Sequence, residues 1–311
     1  MANSKKVKPK PLPTAAEVFK QTVNAPARES VCICGDCVDI MKAYNGRARL
    51  VVADPPYGIG QDYDVYQDNL SRDDYLAWSR LWVAAAASAL TADGSLWIAI
   101  GDQFVSELDV MCKSMDFTKQ AHVIHYFTFG QNQRNNFTRS HIHWLYYVKD
   151  RKHFTFNAND PLVRVPSARQ QLYKDKRANP AGRLPDDTWI LRPAQLPEGF
   201  TPLEDTWHFS RICGTFKDKA EVSPNQMRVE MLERIVRLCS NRGDLVVDPF
   251  GGTFTAGVAC ARTGRNYVGM DLSEKCVAYG KQRVERELLL ADGKGPGTQQ
   301  ALFDDKKVSK P

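Results

Sequence analysis

The chain has 311 residues, 43% hydrophobic and 25% charged, the composition of an ordinary globular protein with one large domain or two smaller ones. No apolar run approaches the ~20 residues needed to cross a bilayer, and the opening MANSKKVKPKPLPT lacks the apolar core of a signal peptide; an intracellular protein is expected. The formal charge of +6 is a weak argument for a nucleic-acid partner, because residues 1–28 hold six cations against Glu17 and leave the remainder close to neutral.

This Pro- and Lys-rich segment, residues 1–28, is expected to be a disordered basic tail. From Ser30 the pattern becomes α/β. SVCICGDC reads as a strand and loop, VDIMKAY as a short helix, and ARLVVADPPY as a strand whose continuous apolar run fits burial on both faces. The three cysteines of VCICGDC read as small hydrophobes on that first strand. No second Cys/His pair at zinc spacing follows them, so no metal is expected.

SRDDYLAWSRLWVAAAASAL, with an acidic start and an Ala-rich body, predicts a helix, and GSLWIAIGD another buried strand. AHVIHYFTF and HIHWLYYVK predict strands flanking the polar loop GQNQRNNFTRS. Between about Asp150 and Lys219 neither helical nor strand periodicity holds, and basic residues are scattered through a long irregular insertion; such a stretch in a compact domain is usually functional. SPNQMRVEMLERIVRLCSNRGD predicts a helix capped by Ser223, with Pro224 in its first turn and Gln226 closing a capping box. DLVVDPFGG is a strand entering a Gly-rich turn, TAGVACARTG a helix, NYVGMDLS a strand ending in an acid, and EKCVAYGKQRVEREL a last helix. Alternating strands and helices imply a doubly wound, mostly parallel α/β sheet. The segment from 292 to 311 is expected to be a disordered tail.

Two strand ends carry chemistry, as the carboxyl ends of strands in open α/β sheets do. VVDPFGGTFTAG departs from the dinucleotide pattern G-x-G-x-x-G, since Gly251 and Gly252 are adjacent and the strand ends in Asp248, which would repel a pyrophosphate. The next strand ends about twenty residues on at Asp271, where a ribose diol would be gripped. A ligand with a ribose and a cation but no phosphate suits the pair, and S-adenosylmethionine has that description. VVADPPYGIG places Asp54, Pro55, Pro56 and Tyr57 after a buried strand. An exocyclic nucleobase amine is a poor nucleophile because its lone pair is delocalised into the ring. The Asp54 carboxylate and the Pro55 carbonyl, held extended by Pro56, would accept its two N–H groups and free that lone pair. Asp54 would also stabilise the developing positive charge, and Tyr57 would stack on a base taken out of the duplex.

With these residues in place, the sequence resembles the amino-methyltransferases of DNA, which make N6-methyladenine or N4-methylcytosine from S-adenosylmethionine. Asp54–Tyr57 matches the catalytic motif and DPFGGTFTAG resembles the cofactor motif. The catalytic motif comes first, a permuted order that looks like the β group. The resemblance spans about 30–287 and implies a class I S-adenosylmethionine-dependent methyltransferase fold with an irregular target-recognition insertion. Its implied division is a catalytic part at 29–149, a target-recognition region at 150–222 and a cofactor-binding part at 223–291.

The resemblance implies that Asp36 contacts the adenosyl amino group, that Asp248, Phe250, Gly252 and Thr253 line the methionine and adenosyl part together with Asp54, that Asp271 holds the ribose, and that Asn225 and Gln226 lie near the methionine tail. RSHIHWLYYVK resembles the motif that helps hold the flipped base. Three positions depart from the family pattern: Phe254 replaces a glycine, Ile142 a common Glu, and Met227 a common Lys. An acid first in DPPY favours N6 of adenine. N4 of cytosine, an RNA base, or a DNA-binding regulator without catalysis are the alternatives. Double-stranded DNA is the expected partner, with Arg134, Asn135, Asn136, Arg139, Lys174, Arg177 and Arg183 as candidate contacts. A homodimer at the bacterial nucleoid, or a phage-encoded intracellular enzyme, is expected. The tail peptide QQALF, Gln299 to Phe303, is similar to peptides that dock on the replication sliding clamp.

Overall fold

The computed structural model describes residues 30–131, 135, 137, 139–160, 162–165, 168–171, 173–180, 182–189, 222 and 226–292. The two tails, Asn225 and the Gln299–Phe303 peptide lie outside these residues, as do Arg134 and Asn136. No helix among the described residues is long and apolar enough to cross a membrane.

In chain order the elements are β1 (Ser30–Cys34), α1 (Cys37–Met41), β2 (Ala48–Ala53), α2 (Arg72–Ala89), β3 (Leu90–Ile100), α3 (Val105–Ser114), β4 (Thr118–Gln131) and β5 (Arg139–Val148). These are followed by β6 (Thr188–Trp189), α4 (Val229–Cys239), β7 (Leu245–Asp248), α5 (Thr255–Thr263), β8 (Asn266–Asp271) and α6 (Glu274–Ala291). One 8-stranded sheet runs β1-β8-β7-β2-β3-β5-β4-β6. The first five strands in that order are mutually parallel, β5 is antiparallel to both β3 and β4, and β6 is parallel to β4. This is the doubly wound, mostly parallel sheet expected from the sequence.

Alternation along the central strands builds two cores. Val51 and Ala53 with Leu96, Ile98 and Ile100 face α2 and α3, while Leu50 and Val52 with Trp97 and Ala99 face α4 and α5. The apolar runs of β2 and β3 are therefore buried on both faces. Cys37 is a core residue and Cys32 packs against the second core, while Cys34 is only half-buried; burial pushes the Cys32 and Cys37 thiols up to about 12, which keeps them protonated.

Two sequence expectations need correction. Helix α3 was not foreseen; its stripe of Leu108, Met111 and Cys112, continued by Phe104 just before it, is buried against the first core. Helix α4 spans Val229–Cys239, and its N-cap is Arg228, extended at φ −74° and ψ 135° with no side-chain cap; the expected cap at Ser223 and Pro224 lies outside the described residues. Gln226 and Met227 precede the helix, so Gln226 is not in its first turn as the capping-box reading required, and both residues line the wall of a cleft.

Phe254, where the family pattern has glycine, adopts a left-handed conformation at φ 55° and caps α5. Its ring is fully buried. It occupies the space that a Cβ on Gly251 or Gly280 would need, so the ring and these two glycines are one packing unit. Phe254→Gly relieves a left-handed strain of about 1–2 kcal/mol but empties a cavity that costs about 3–5 kcal/mol for a large buried aromatic. A net loss of roughly 1–4 kcal/mol follows from these two terms, readable by chemical denaturation; a variant as stable as the parent would contradict this packing account.

Candidate active site

Five neighbouring strands each deliver an acid to one edge of the sheet. In sheet order they are Asp36 after β1, Asp271 ending β8, Asp248 ending β7, Asp54 after β2 and Asp102 after β3. All five line one cleft of about 980 Å³, at the upper end of the range for a small-molecule site. The cleft lies at the carboxyl ends of the parallel strands, where the topology leaves a crevice.

At the floor, Asp54 follows the buried Ala53 directly. The Tyr57 hydroxyl donates to Asp54 Oδ1 at 2.9 Å, and the Tyr57 ring lies against Gly101. The Pro56 carbonyl is taken by the Tyr75 hydroxyl at 2.8 Å. Among the described residues no group donates to the Pro55 carbonyl. Burial pushes the Asp54 carboxyl up to about 6, against the downward pull of the Tyr57 bond.

The Gly-rich turn is held by its acids. Asp248 accepts from the Tyr267 hydroxyl at 2.9 Å and from the Phe250 amide at 3.1 Å. Burial pushes Asp248 up to about 7; those bonds oppose the shift, and the charges of Asp54 and Asp271 add to it. Asp271 accepts from the amides of Gly252 and Ser273, each at 2.8 Å, so it ties the turn to the end of β8. Its carboxyl is also raised, by burial first. Burial thus disfavours the charged form of all three carboxyl groups, a penalty that a cationic ligand beside them would offset. Asp36 sits at the exposed rim and caps α1 by accepting from the Val38 amide at 2.7 Å. The Phe250 ring meets Trp82 edge-on at 5.4 Å and tilts against Trp78 at 5.7 Å. Gly252 lines the cleft, while the Thr253 hydroxyl is turned to that of Thr255 at 3.0 Å. Gln226 is nearly buried in the wall.

Sequence reasoning missed the roof. Residues 58–68 form a compact loop around Asp68, only 2% exposed. Asp68 accepts from the amides of Gly58 (2.8 Å), Ile59 (3.0 Å) and Gln61 (3.2 Å). Gly58 has φ 67°, and a Cβ there would lie 2.7 Å from the Phe104 ring, so both backbone and space demand glycine. The far side of the loop is tied down where the Ser273 hydroxyl donates to Asp64 at 2.8 Å. The signal was present in Gly58, Gly60 and a later Asp, the composition of a tight loop closed by a carboxylate. Trp78, which packs against Phe250 and lines the cleft with it, was missed as well.

The other end of the cleft holds Asp102, His125, Arg139 and His141. Burial raises Asp102, but the His143 bond and the charges of His141 and Arg139 hold it below the usual carboxylate range. Of the residues expected on DNA, Arg139 lines the cleft, while Asn135 and Lys174 are exposed. Arg177 is engaged by Asp175 at 3.0 Å and Arg183 by Asp186 at 2.6 Å. Exposed pairs of this kind contribute little and open readily. The structure therefore gathers Asp54, Tyr57, Asp36, Gln226, Asp248, Phe250, Gly252, Thr253, Asp271 and Arg139 at one cleft, and leaves Lys174, Arg177 and Arg183 outside its lining.

The profile of the N6/N4 methyltransferase family, described as DNA methylase, matches residues 48–282. The chain is 28% identical over 236 residues to the DNA adenine methyltransferase YhdJ of Escherichia coli, covering 76% of each chain. It is 26% identical over 258 residues to the type II methyltransferase M.HpaI of Haemophilus parainfluenzae, covering 82% of this chain and 74% of that one. Among solved structures, an M1.HpyAVI–SAM complex aligns with TM-score 0.55 and 18% identity over 82% of this chain and 98% of that one. The cytosine-N4-specific PvuII DNA methyltransferase aligns with TM-score 0.57 and 15% identity over 83% and 88%. These structural likenesses establish a shared fold.

Asp68→Ala removes the acceptor of three loop amides at once. Each buried donor left unsatisfied costs about 1–3 kcal/mol, so the amides of residues 58–61 are expected to exchange with solvent at least tenfold faster. Hydrogen–deuterium exchange reads this directly, and unchanged protection would remove Asp68 from its role as the loop's anchor.

Proposed function

The chain belongs to the DNA methylase family of N6/N4 amino-methyltransferases, and on that footing we propose that it methylates N6 of adenine at specific sites in double-stranded DNA, in a base turned out of the helix. It is a DNA methyltransferase, and S-adenosylmethionine is its methyl donor. The observation that supports methyl transfer at this site is the pairing of β2 with β7, which sets Asp54 beside the Asp248 turn at adjacent strand ends.

In this reading Asp54 and the Pro55 carbonyl accept the two N–H groups of the amine, and its lone pair attacks the methyl carbon. The carbon–sulfur bond breaks with its electron pair going to sulfur, leaving S-adenosylhomocysteine, and the nitrogen then loses a proton to water. Asp248 and Asp271 hold the turn against the cofactor, and their negative field favours the sulfonium. Asp36 at the rim and Gln226 in the wall border the same space. Adenine is favoured by the acid at position 54 and by the likeness to a relative named as an adenine methyltransferase. A homodimer and clamp docking through 299–303 stay proposals beside it.

Methylation of mixed genomic DNA, followed by digestion to nucleosides, is expected to yield N6-methyladenine. N4-methylcytosine would transfer the reading to the alternative base, and transfer to RNA alone would end it. Asp54→Ala is expected to lower transfer on the order of 10²–10³-fold or more with cofactor affinity largely kept, because its role lies in the transition state.

The acid must be ionised to accept, so kcat/KM for DNA is expected to fall on the acid side through the Asp54 pKa, about 6 in the free chain and lower once a cationic cofactor is saturating. The Tyr57 bond lowers the Asp54 pKa, so Tyr57→Phe is expected to move that inflection upward while leaving a ring to stack. An inflection that stays put in Tyr57→Phe would break the link between the two side chains.

A further inference from the structure

The end of the cleft away from the Gly-rich turn holds a cluster, on the segment that resembles the base-holding motif, to which the methyl-transfer steps above give no chemical role. His141 and His143 are two residues apart on β5 and so share a face of the sheet. The antiparallel register Ile100↔His143 brings the end of β3, and with it Asp102, alongside them. Both imidazoles aim Nε2 at the same carboxylate oxygen: His143 lies 2.7 Å and His141 3.1 Å from Asp102 Oδ1. One ligand atom from each of the three residues falls within 4.8 Å of the others. Behind them, His122 Nε2 meets His143 Nδ1 at 2.8 Å.

We propose that Asp102, His141 and His143 form a binding site for a divalent transition-metal ion, Zn²⁺ foremost. A single Asp–His hydrogen bond needs one imidazole; here two converge on one oxygen, and the ring of the more buried one is oriented from behind by a third. Outer-sphere orientation of a ligating imidazole is the usual support of a metal site. Two imidazole nitrogens and one carboxylate suit Zn²⁺ and its neighbours, whereas Mg²⁺ and Ca²⁺ call for oxygen alone. Three protein ligands leave a tetrahedral ion one open position. Asp102 and His141 both line the cleft, so that position faces the space beside Tyr57 and Gly101. Arg139 lies close enough to act on Asp102, and its charge works against the ion; the three ligands must outweigh it. The site was not legible in the sequence because Asp102 and the His-x-His pair are about forty residues apart and no cysteine takes part.

Titration of the metal-free full chain with Zn²⁺ in a calorimeter is expected to show one equivalent bound. Co²⁺ in its place is expected to show ligand-field bands without thiolate-to-cobalt charge transfer. His143 is nearly buried, so His141→Ala and Asp102→Asn, both at partly exposed positions, carry the test. Each is expected to weaken Zn²⁺ binding at least tenfold, with the circular dichroism of the parent. A parent chain that binds no equivalent, a variant that keeps the parent's affinity, or a thiolate signature with Co²⁺ would overturn the proposal.

Discussion

The parallel pairing of β2 with β7 is the constraint on which the site depends. Leu50 lies against Val246 and Val51 against Val247, almost two hundred residues apart in the chain. Because parallel strands in register end on the same edge, that pairing puts Asp54 and Asp248 side by side. The pairing of β1 with β8 does the same for Asp36 and Asp271. The entropy of closing such long loops rises only with the logarithm of their length, and apolar residues buried on both faces repay it. A permuted order of motifs is therefore no obstacle to one contiguous site, since the sheet orders the strands by register and burial and not by their place in the chain.

The same edge concentrates negative charge where little water reaches it. Asp54 and Asp248 titrate near about 6 and about 7 in the fold, against roughly 3.9 for an aspartate in an unfolded chain. Through the window between these values the folded state binds more protons than the unfolded state. The contribution of these acids to stability is thus present at low pH and lost as pH rises toward neutrality. Without a ligand the acids oppose folding under the conditions in which the protein works. A cationic cofactor favours their ionised forms and recovers that free energy as binding. The turn is built accordingly: the Tyr267 hydroxyl and backbone amides hold the carboxylates in place, and no lysine or arginine is paired with Asp54, Asp248 or Asp271 among the described bonds.

What was legible in the sequence follows from how local each signal is. The central strands announced themselves as continuous apolar runs, and the DPPY and Gly-rich stretches are contiguous segments whose chemistry is read from neighbouring residues. The start of α4 was misread because Ser223, Pro224 and Gln226 satisfy the local rules for a cap, while Gln226 and Met227 precede the helix and line the wall of the cleft. Gly58, Gly60 and a later Asp mark a tight loop, but the carboxylate that closes it was missed because its partners are three backbone amides seven to ten residues earlier, and backbone donors do not single out one acid. Phe254 was noted as a departure from glycine, but only the fold shows why an aromatic ring tolerates a left-handed backbone: Gly251 and Gly280 make room for it.

The Tyr57–Asp54 bond joins these themes at the reacting centre. In the free chain the phenol occupies one Asp54 oxygen; in the proposed reading the carboxylate would meet the amine with the other, and the Pro55 carbonyl would take the second N–H. The phenol also holds the acid's pKa down where burial alone would raise it. That matters because a protonated Asp54 would be a donor facing a donor. A serine at this position would need no such protection, since it carries no charge to lose. In that reading the aromatic residue of the motif would do more than stack: paired with an aspartate, its hydroxyl holds the acid's pKa down against burial, in a floor otherwise built of prolines and apolar strand ends.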